Sequence, residues 1–178
     1  MGQAAGGAGN QGDALLALYD AALADVYGYL LRRCGSAAIA EDLTSETLIA
    51  AVDAVQHDRV PSLTTAWLIG VARHKLADHW RRTERAGRLL EVAEGSAVDA
   101  SDDWDAVLDS LLAHEALSLL APHHRGALTL RYLDGLSVAE VARLLGRTLG
   151  ATEVLLVRAR RAFREIYEPR SERVEDDR

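Results

Sequence analysis

The sequence predicts an all-α protein of two small helical domains joined by a flexible acidic linker, and three observations predict it. Long stretches carry helix formers with apolar residues at helical spacing. The residues that break helices gather in few places: the N-terminal tail, Gly35, Pro61 and the run from Gly87 to Gly95. Charge falls in blocks. From Arg73 to Arg88 six bases face two acids, from Arg143 to Arg164 six arginines face Glu153 alone, and from Glu91 to Glu115 there are eight acids and no Lys or Arg. A length of 178 residues suits one ordinary domain or two small ones, and 49% hydrophobic with 26% charged residues is enough to build cores.

In chain order, residues 1–12 are rich in Gly, Ala and Gln and read as a disordered tail, with neither the basic start of a signal peptide nor an apolar anchor. A first helix is expected from about Asp13 to Cys34, stopped by Gly35. Ser36 caps a second through about Gln56. Its Leu43, Ala50 and Ala54 lie on one side, Leu48, Val52 and Val55 on another, and Asp42, Glu46, Ile49 and Asp53 on a third that faces outward. Thr64 or Thr65 opens a third helix to about Arg85, with a core stripe of Leu68, Val71, Ala72, Leu76 and Trp80. Residues 87–103 have no sustained periodicity and form the linker; the domains are accordingly 13–86 and 104–168, followed by a charged tail at 169–178. The second domain reads as a helix from Trp104 to Leu120, another from about His123 to Leu133, a turn at Asp134-Gly135, a short helix from Ser137 to Leu145 ended by Gly146, and a last helix from about Leu149 to Tyr167. Short helix, tight glycine turn and longer helix make a helix-turn-helix.

The formal net charge of -7 argues against nucleic-acid binding, but the average conceals the blocks. Two basic blocks held apart by an acidic one suggest two polyanion-facing surfaces, because phosphate attraction is screened beyond about 10 Å. On the second helix Asp42, Glu46, Ile49 and Asp53, spaced by four, three and four, share one exposed side. On the third, Trp67, His74, Asp78 and Arg81, spaced by seven, four and three, share a face opposite the apolar stripe. A ring, an imidazole and cations together suit unstacked bases and their phosphates; Trp67 fits a core position equally well. Arg82 and Arg85, near the helix end, are phosphate-contact candidates.

Three segments resemble the extracytoplasmic-function type of bacterial RNA polymerase sigma factor. Ala40-Glu-Asp-Leu-Thr-Ser-Glu-Thr-Leu-Ile is similar to the family helix that docks on the polymerase clamp. The run from Thr65 to Arg82, Thr-Ala-Trp-Leu-Ile-Gly-Val-Ala-Arg-His-Lys-Leu-Ala-Asp-His-Trp-Arg-Arg, is close to the helix that reads and opens the minus-ten element. Leu119 to Glu165 looks like region four, which binds the minus-thirty-five element. The resemblance implies partners in core RNA polymerase (β and β′ subunits), promoter DNA and an anti-sigma factor. It implies polymerase contacts at Asp42, Leu43, Glu46, Ile49 and Asp53, and minus-ten contacts at Trp67, Arg73, His74, Lys75, Asp78, Arg81, Arg82 and Arg85. For the minus-thirty-five element it implies Ser137, Arg147, Thr148, Ala151, Thr152, Arg158 and Arg161. The chain departs from the family pattern at His74, where asparagine is common, and at Thr44-Ser45, where Val-Gln is. It departs most in the last helix, where Ala151, Glu153, Val154, Leu155 and Val157 stand where relatives carry Thr, Lys, Ser, Arg and His. Base reading in the major groove needs hydrogen-bonding side chains, so the strip Val154, Leu155 and Val157 is read as a patch for a protein partner.

Other readings have less to stand on. Six histidines occur without any metal-ligand spacing, no glycine-rich phosphate loop is present, and the single cysteine, Cys34, offers neither a disulfide nor a cysteine metal cluster. The expectation is a cytoplasmic protein that is not an enzyme and uses no metal or other cofactor. An autonomous helix-turn-helix regulator would explain the second domain and leave the first unexplained. A sigma-like regulator acting through protein contacts alone would suit the apolar last helix.

Overall fold

The computed structural model describes residues 22–57, 59, 64–87 and 111–176, and among them all regular secondary structure is helical, as the sequence predicts. The expected N-terminal tail, the first turns of the first helix, and the acidic linker with Trp104 lie outside the described residues. Contacts divide the chain into Met1–Leu76 and Ala77–Arg178. The division falls inside one helix.

In the first unit, α1 (22–34) buries Ala22, Val26, Tyr29, Leu30 and Cys34, at helical spacing. The Cys34 thiol donates to the Leu30 carbonyl at 3.0 Å, so this buried sulfur closes the helix end. Gly35 follows at φ 67, the left-handed conformation that ends a helix and that glycine adopts without strain. α2 (Ala37–Gln56) starts where the sequence places it, the Ile39 N–H donating to the Ser36 hydroxyl at 3.5 Å. Its buried face is Ala40, Leu43, Thr44, Thr47, Ala51 and Val55. This corrects the expected apolar sides: Val52 is exposed, and two threonines take core places. They can do so because each hydroxyl donates to the carbonyl one turn back, Thr44 to Ala40 at 2.6 Å and Thr47 to Leu43 at 2.7 Å, leaving only methyls to pack. α3 (Thr65–Gly87) is capped by Thr64, whose hydroxyl accepts from the Trp67 N–H at 3.2 Å. Leu68, Ala72 and Leu76 are its contribution to the first core, and Val71, expected with them, is only half-buried.

The second unit takes the last turns of α3 together with α4 (Leu111–Leu119), α5 (Pro122–Leu128), α6 (Val138–Leu145) and α7 (Leu149–Asp176). Pro122 sits in the first turn of α5, where its missing N–H costs nothing. Arg125 reaches back to α4, donating to the carbonyls of Leu117 at 2.8 Å and Leu120 at 3.1 Å and to that of Ser118, so one guanidinium closes the end of that helix. The helix expected to run uniformly to Leu133 instead widens into a π turn over Thr129–Leu133, shown by the Asp134 N–H donating to the Thr129 carbonyl at 3.0 Å. α6 opens on a capping box of Ser137 and Glu140 and closes at Gly146, φ 63. α7 packs against α4, α5 and α6 and buries Thr152, Leu155, Leu156, Ala159 and Phe163. The sequence predicts a stop near Tyr167, before Pro169, yet the helix runs on to Asp176; residues 170–176 hold no further glycine or proline to end it.

Candidate nucleic-acid interface

The outward side of α2 has the composition the spacing predicts. Asp42 and Asp53 are exposed, Glu46 is half-buried, and Ile49 is 69% exposed, an unusual place for an isoleucine in water. With Ser45, Leu48, Val52, Asp53 and Gln56, Ile49 lines an open apolar groove of about 460 Å³ edged by carboxylate. Asp53 is held by Arg59 at 2.6 Å and by the His57 ring at 3.1 Å, and Glu46 stands 3.8 Å from Lys75. Leu43, expected to share in this surface, is 2% exposed and belongs to the core instead. It follows the buried Ala40 by three residues and precedes the buried Thr47 by four, which puts it on their face.

The basic helix presents its cations in two groups. On the N-terminal half of α3, Trp67, Arg73 and Lys75 are half-buried and His74 is exposed. Beyond Leu76, Arg82 and Arg85 are exposed, while Arg81 is half-buried and forms an ion pair with Asp78. The half-burial of Trp67 agrees with both sequence readings.

Around the helix-turn-helix several expected readers are already engaged. The Ser137 hydroxyl and N–H both donate to Glu140 Oε2, at 2.6 and 2.8 Å, so this exposed serine acts as a helix cap. The Thr148 hydroxyl accepts from the Ala151 N–H at 3.3 Å, which starts α7. Arg147 is ion-paired with Glu84, with side chains 19% and 14% exposed. Arg158 is exposed, Arg161 is exposed and 3.0 Å from Glu165, and Ala151 and Glu153 are exposed beside them. Thr152 is 0% exposed and donates to the Thr148 carbonyl at 2.9 Å, so it cannot touch DNA. The expected apolar strip is also corrected. Leu155 is 6% exposed and packs inward, Val157 is half-buried, and the exposed apolar residues here are Val154 at 49% and Leu149 at 51%. A helix flanked by three others buries a wider arc than a single stripe, and that arc takes in Leu155 beside Leu156.

His124, which carried no role in the sequence, lies among these groups. Its pKa is pushed down to about 4, first by burial, then by His123, Arg158 and Arg147, with Glu84 opposing. The ring is therefore neutral at pH 7. Among the described residues, no group of three His, Cys, Asp or Glu could hold a metal ion, and no helix is long and apolar enough to cross a membrane.

Comparison with known proteins agrees with this geometry. The sigma-70 region 2 signature matches residues 18–86, which span α1 to the end of α3, and the sigma-70 region 4 signature matches residues 110–163, which include the helix-turn-helix. The chain is 37% identical over 169 residues to the ECF RNA polymerase sigma factor BldN of Streptomyces coelicolor, covering 88% of this chain and 61% of that protein. It therefore spans about three fifths of that relative's length. It is 35% identical over 171 residues to the ECF RNA polymerase sigma factor SigL of Mycobacterium tuberculosis, covering 92% of this chain and 94% of the other. In fold it is similar to the sigma factor RpoE of Bartonella quintana, solved with the anti-sigma factor NepR, at a TM-score of 0.52 and 22% identity over 88% of this chain and 97% of that one. Two sigma signatures in order, on the helices that carry the acidic groove, the basic face and the helix-turn-helix, place the chain in the ECF family of RNA polymerase sigma factors.

Proposed function

We propose that the chain binds core RNA polymerase and directs promoter-specific initiation, with α2 as the docking helix, α3 as the minus-ten reader and the helix-turn-helix placed upstream. The observation that carries this is the outer side of α2, where an apolar groove containing a 69%-exposed Ile49 is edged by Asp53, with Asp42 exposed on the same side of the helix. An apolar centre with an acidic rim fits a basic helical partner, combining area burial with charge steering. On α3, the exposed His74, Arg82 and Arg85 supply hydrogen bonds and phosphate contacts along one helix. The work is done by binding energy and strand separation in the cytoplasm, with no catalysis by this chain. Leu149 and Val154, exposed at the start of α7, offer an apolar surface for a protein partner such as an anti-sigma factor.

The test is run-off transcription on a genomic fragment library with purified core polymerase, with and without the protein. Transcripts that start at a shared motif only when the protein is added are expected. Absence of such transcripts from a preparation that still co-purifies with core polymerase would leave a regulator acting by protein contacts.

A further inference from the structure

The first two turns of α7, residues 149–156, are the part of a helix-turn-helix that meets base edges. Their inward side is fixed by the buried Thr152, Leu155 and Leu156, which leaves Leu149, Gly150, Ala151, Glu153 and Val154 exposed. Of these five, only Glu153 has a polar side chain. Thr148, just before them, has its hydroxyl engaged by the Ala151 N–H at 3.3 Å. The Glu153 carboxylate is not engaged: among the described residues no hydrogen bond or ion pair holds it, whereas Glu165, further along the same helix, is 3.0 Å from Arg161. The fold therefore supplies no reason for a carboxylate at this place. Against DNA it has a cost, because it repels the phosphates that the arginines around it attract. A base that donates a hydrogen bond to it offsets that cost.

The major groove narrows the choice to one base. Cytosine presents there only the donor of its N4 amino group. Guanine presents two acceptors and thymine one, each of which repels a carboxylate, and adenine sets its N7 acceptor beside the N6 donor. We infer that Glu153 selects cytosine in the upstream promoter element, its carboxylate accepting a hydrogen bond from the N4 amino group. This rests on the promoter-binding reading above. Ala151 and Val154, exposed on either side of it in the sequence, carry only methyls and compete for no donor, and the exposed Arg158 supplies phosphate attraction further along the helix.

The experiment takes a promoter from which the full chain on core polymerase initiates, randomises its upstream element, and sequences the templates transcribed in run-off reactions. With the unchanged chain, cytosine is expected to be enriched about fivefold or more at one position. Glu153→Ala should abolish that enrichment and leave the preferences at other positions in place. Glu153→Gln should move the preference at the same position to adenine, because an amide can accept from N6 and donate to N7 together. Neither change touches packing, and thermal unfolding checks that both variants fold. A carboxylate that acted by charge alone would, once removed, raise transcription from all templates alike. That uniform rise, a cytosine preference that survives Glu153→Ala, or no cytosine preference in the unchanged chain overturns the inference. If the unchanged chain starts no transcripts with core polymerase, the promoter-binding reading fails and takes this one with it. Initiation without a cytosine that depends on Glu153 removes this one alone.

Discussion

His124 is placed where protonation is unfavourable, first because the ring is half-buried and then because a second histidine and the guanidinium groups of Arg158 and Arg147 oppose a positive charge, with Glu84 pulling the other way. An unfolded imidazole takes its proton near 6.5 and the folded one near 4, so below 6.5 the unfolded chain binds more protons. The stability held by the neutral ring is complete above pH 6.5 and is lost as the pH falls from there toward 4. Urea unfolding followed at pH 7 and at pH 5 should show a lower midpoint at pH 5, and His124→Gln should narrow the difference between the two. A difference unchanged by that substitution would assign the pH response to other groups. Individual residues were also where the sequence was least legible. Helical spacing identified Asp42, Glu46, Ile49 and Asp53 as a side of α2, while the family resemblance also put Leu43 among the polymerase contacts. Thr152 stood among the DNA readers and Leu155 in a partner patch, and all three are buried. Periodicity gives the direction of a stripe; its width depends on how many neighbours the helix has, which no local pattern states. Glu84 was visible only as an acid within a basic block. Its partner Arg147 lies 63 positions away, and nothing in the spacing joins them.

At the scale of elements the sequence was more informative, because caps are chemistry between near neighbours. Ser36 with Ile39, Thr64 with Trp67 and Gly146 all act where their residue types predict. What escaped was the π turn at Thr129–Leu133, whose Thr129 hydroxyl is buried without a hydrogen-bond partner, and the run of α7 beyond Pro169. The π turn depends on what surrounds the helix more than on the residues within it, while the run beyond Pro169 follows from residues 170–176 holding no further glycine or proline, which the single proline outweighed in the sequence reading. Arg125 is a third case, a single side chain serving the end of another element. Arg125→Ala should strip the carbonyls of Leu117, Ser118 and Leu120 of their donor together, and hydrogen bonds to a charged group are worth about 1.5–3 kcal/mol. A loss of about 2 kcal/mol in the unfolding of the second unit is expected from denaturant titration, with faster amide exchange concentrated in α4. A uniform change in exchange would mean that Arg125 supports the unit as a whole.

For the whole molecule, the arrangement of charge says more than its total. A chain of net charge -7 is repelled by bulk DNA, yet Arg82 and Arg85 stand exposed on one helix end. Changing both to Ala should weaken promoter binding by the polymerase holoenzyme across all sequences and flatten the salt dependence by about 0.9 for each phosphate no longer neutralised. Filter-binding titrations over a range of salt would measure it, and a weakening confined to one promoter sequence would instead make these arginines base readers. The two-domain organisation was legible from Gly87 to Gly95 and the acidic run, and both sigma signatures respect it. The division by contacts does not fall there, because Trp80 finds its packing partner in Gly126, a long-range match that composition does not reveal. For anyone cutting the gene into pieces this matters. A fragment ended at Leu76 would break the hydrogen-bond ladder of α3 midway, and one begun after Gly87 would keep α6 and α7 but lose the indole that covers Gly126. The two signature segments both draw on α3, and a fragment that keeps its packing carries all of α3 with whichever half is wanted.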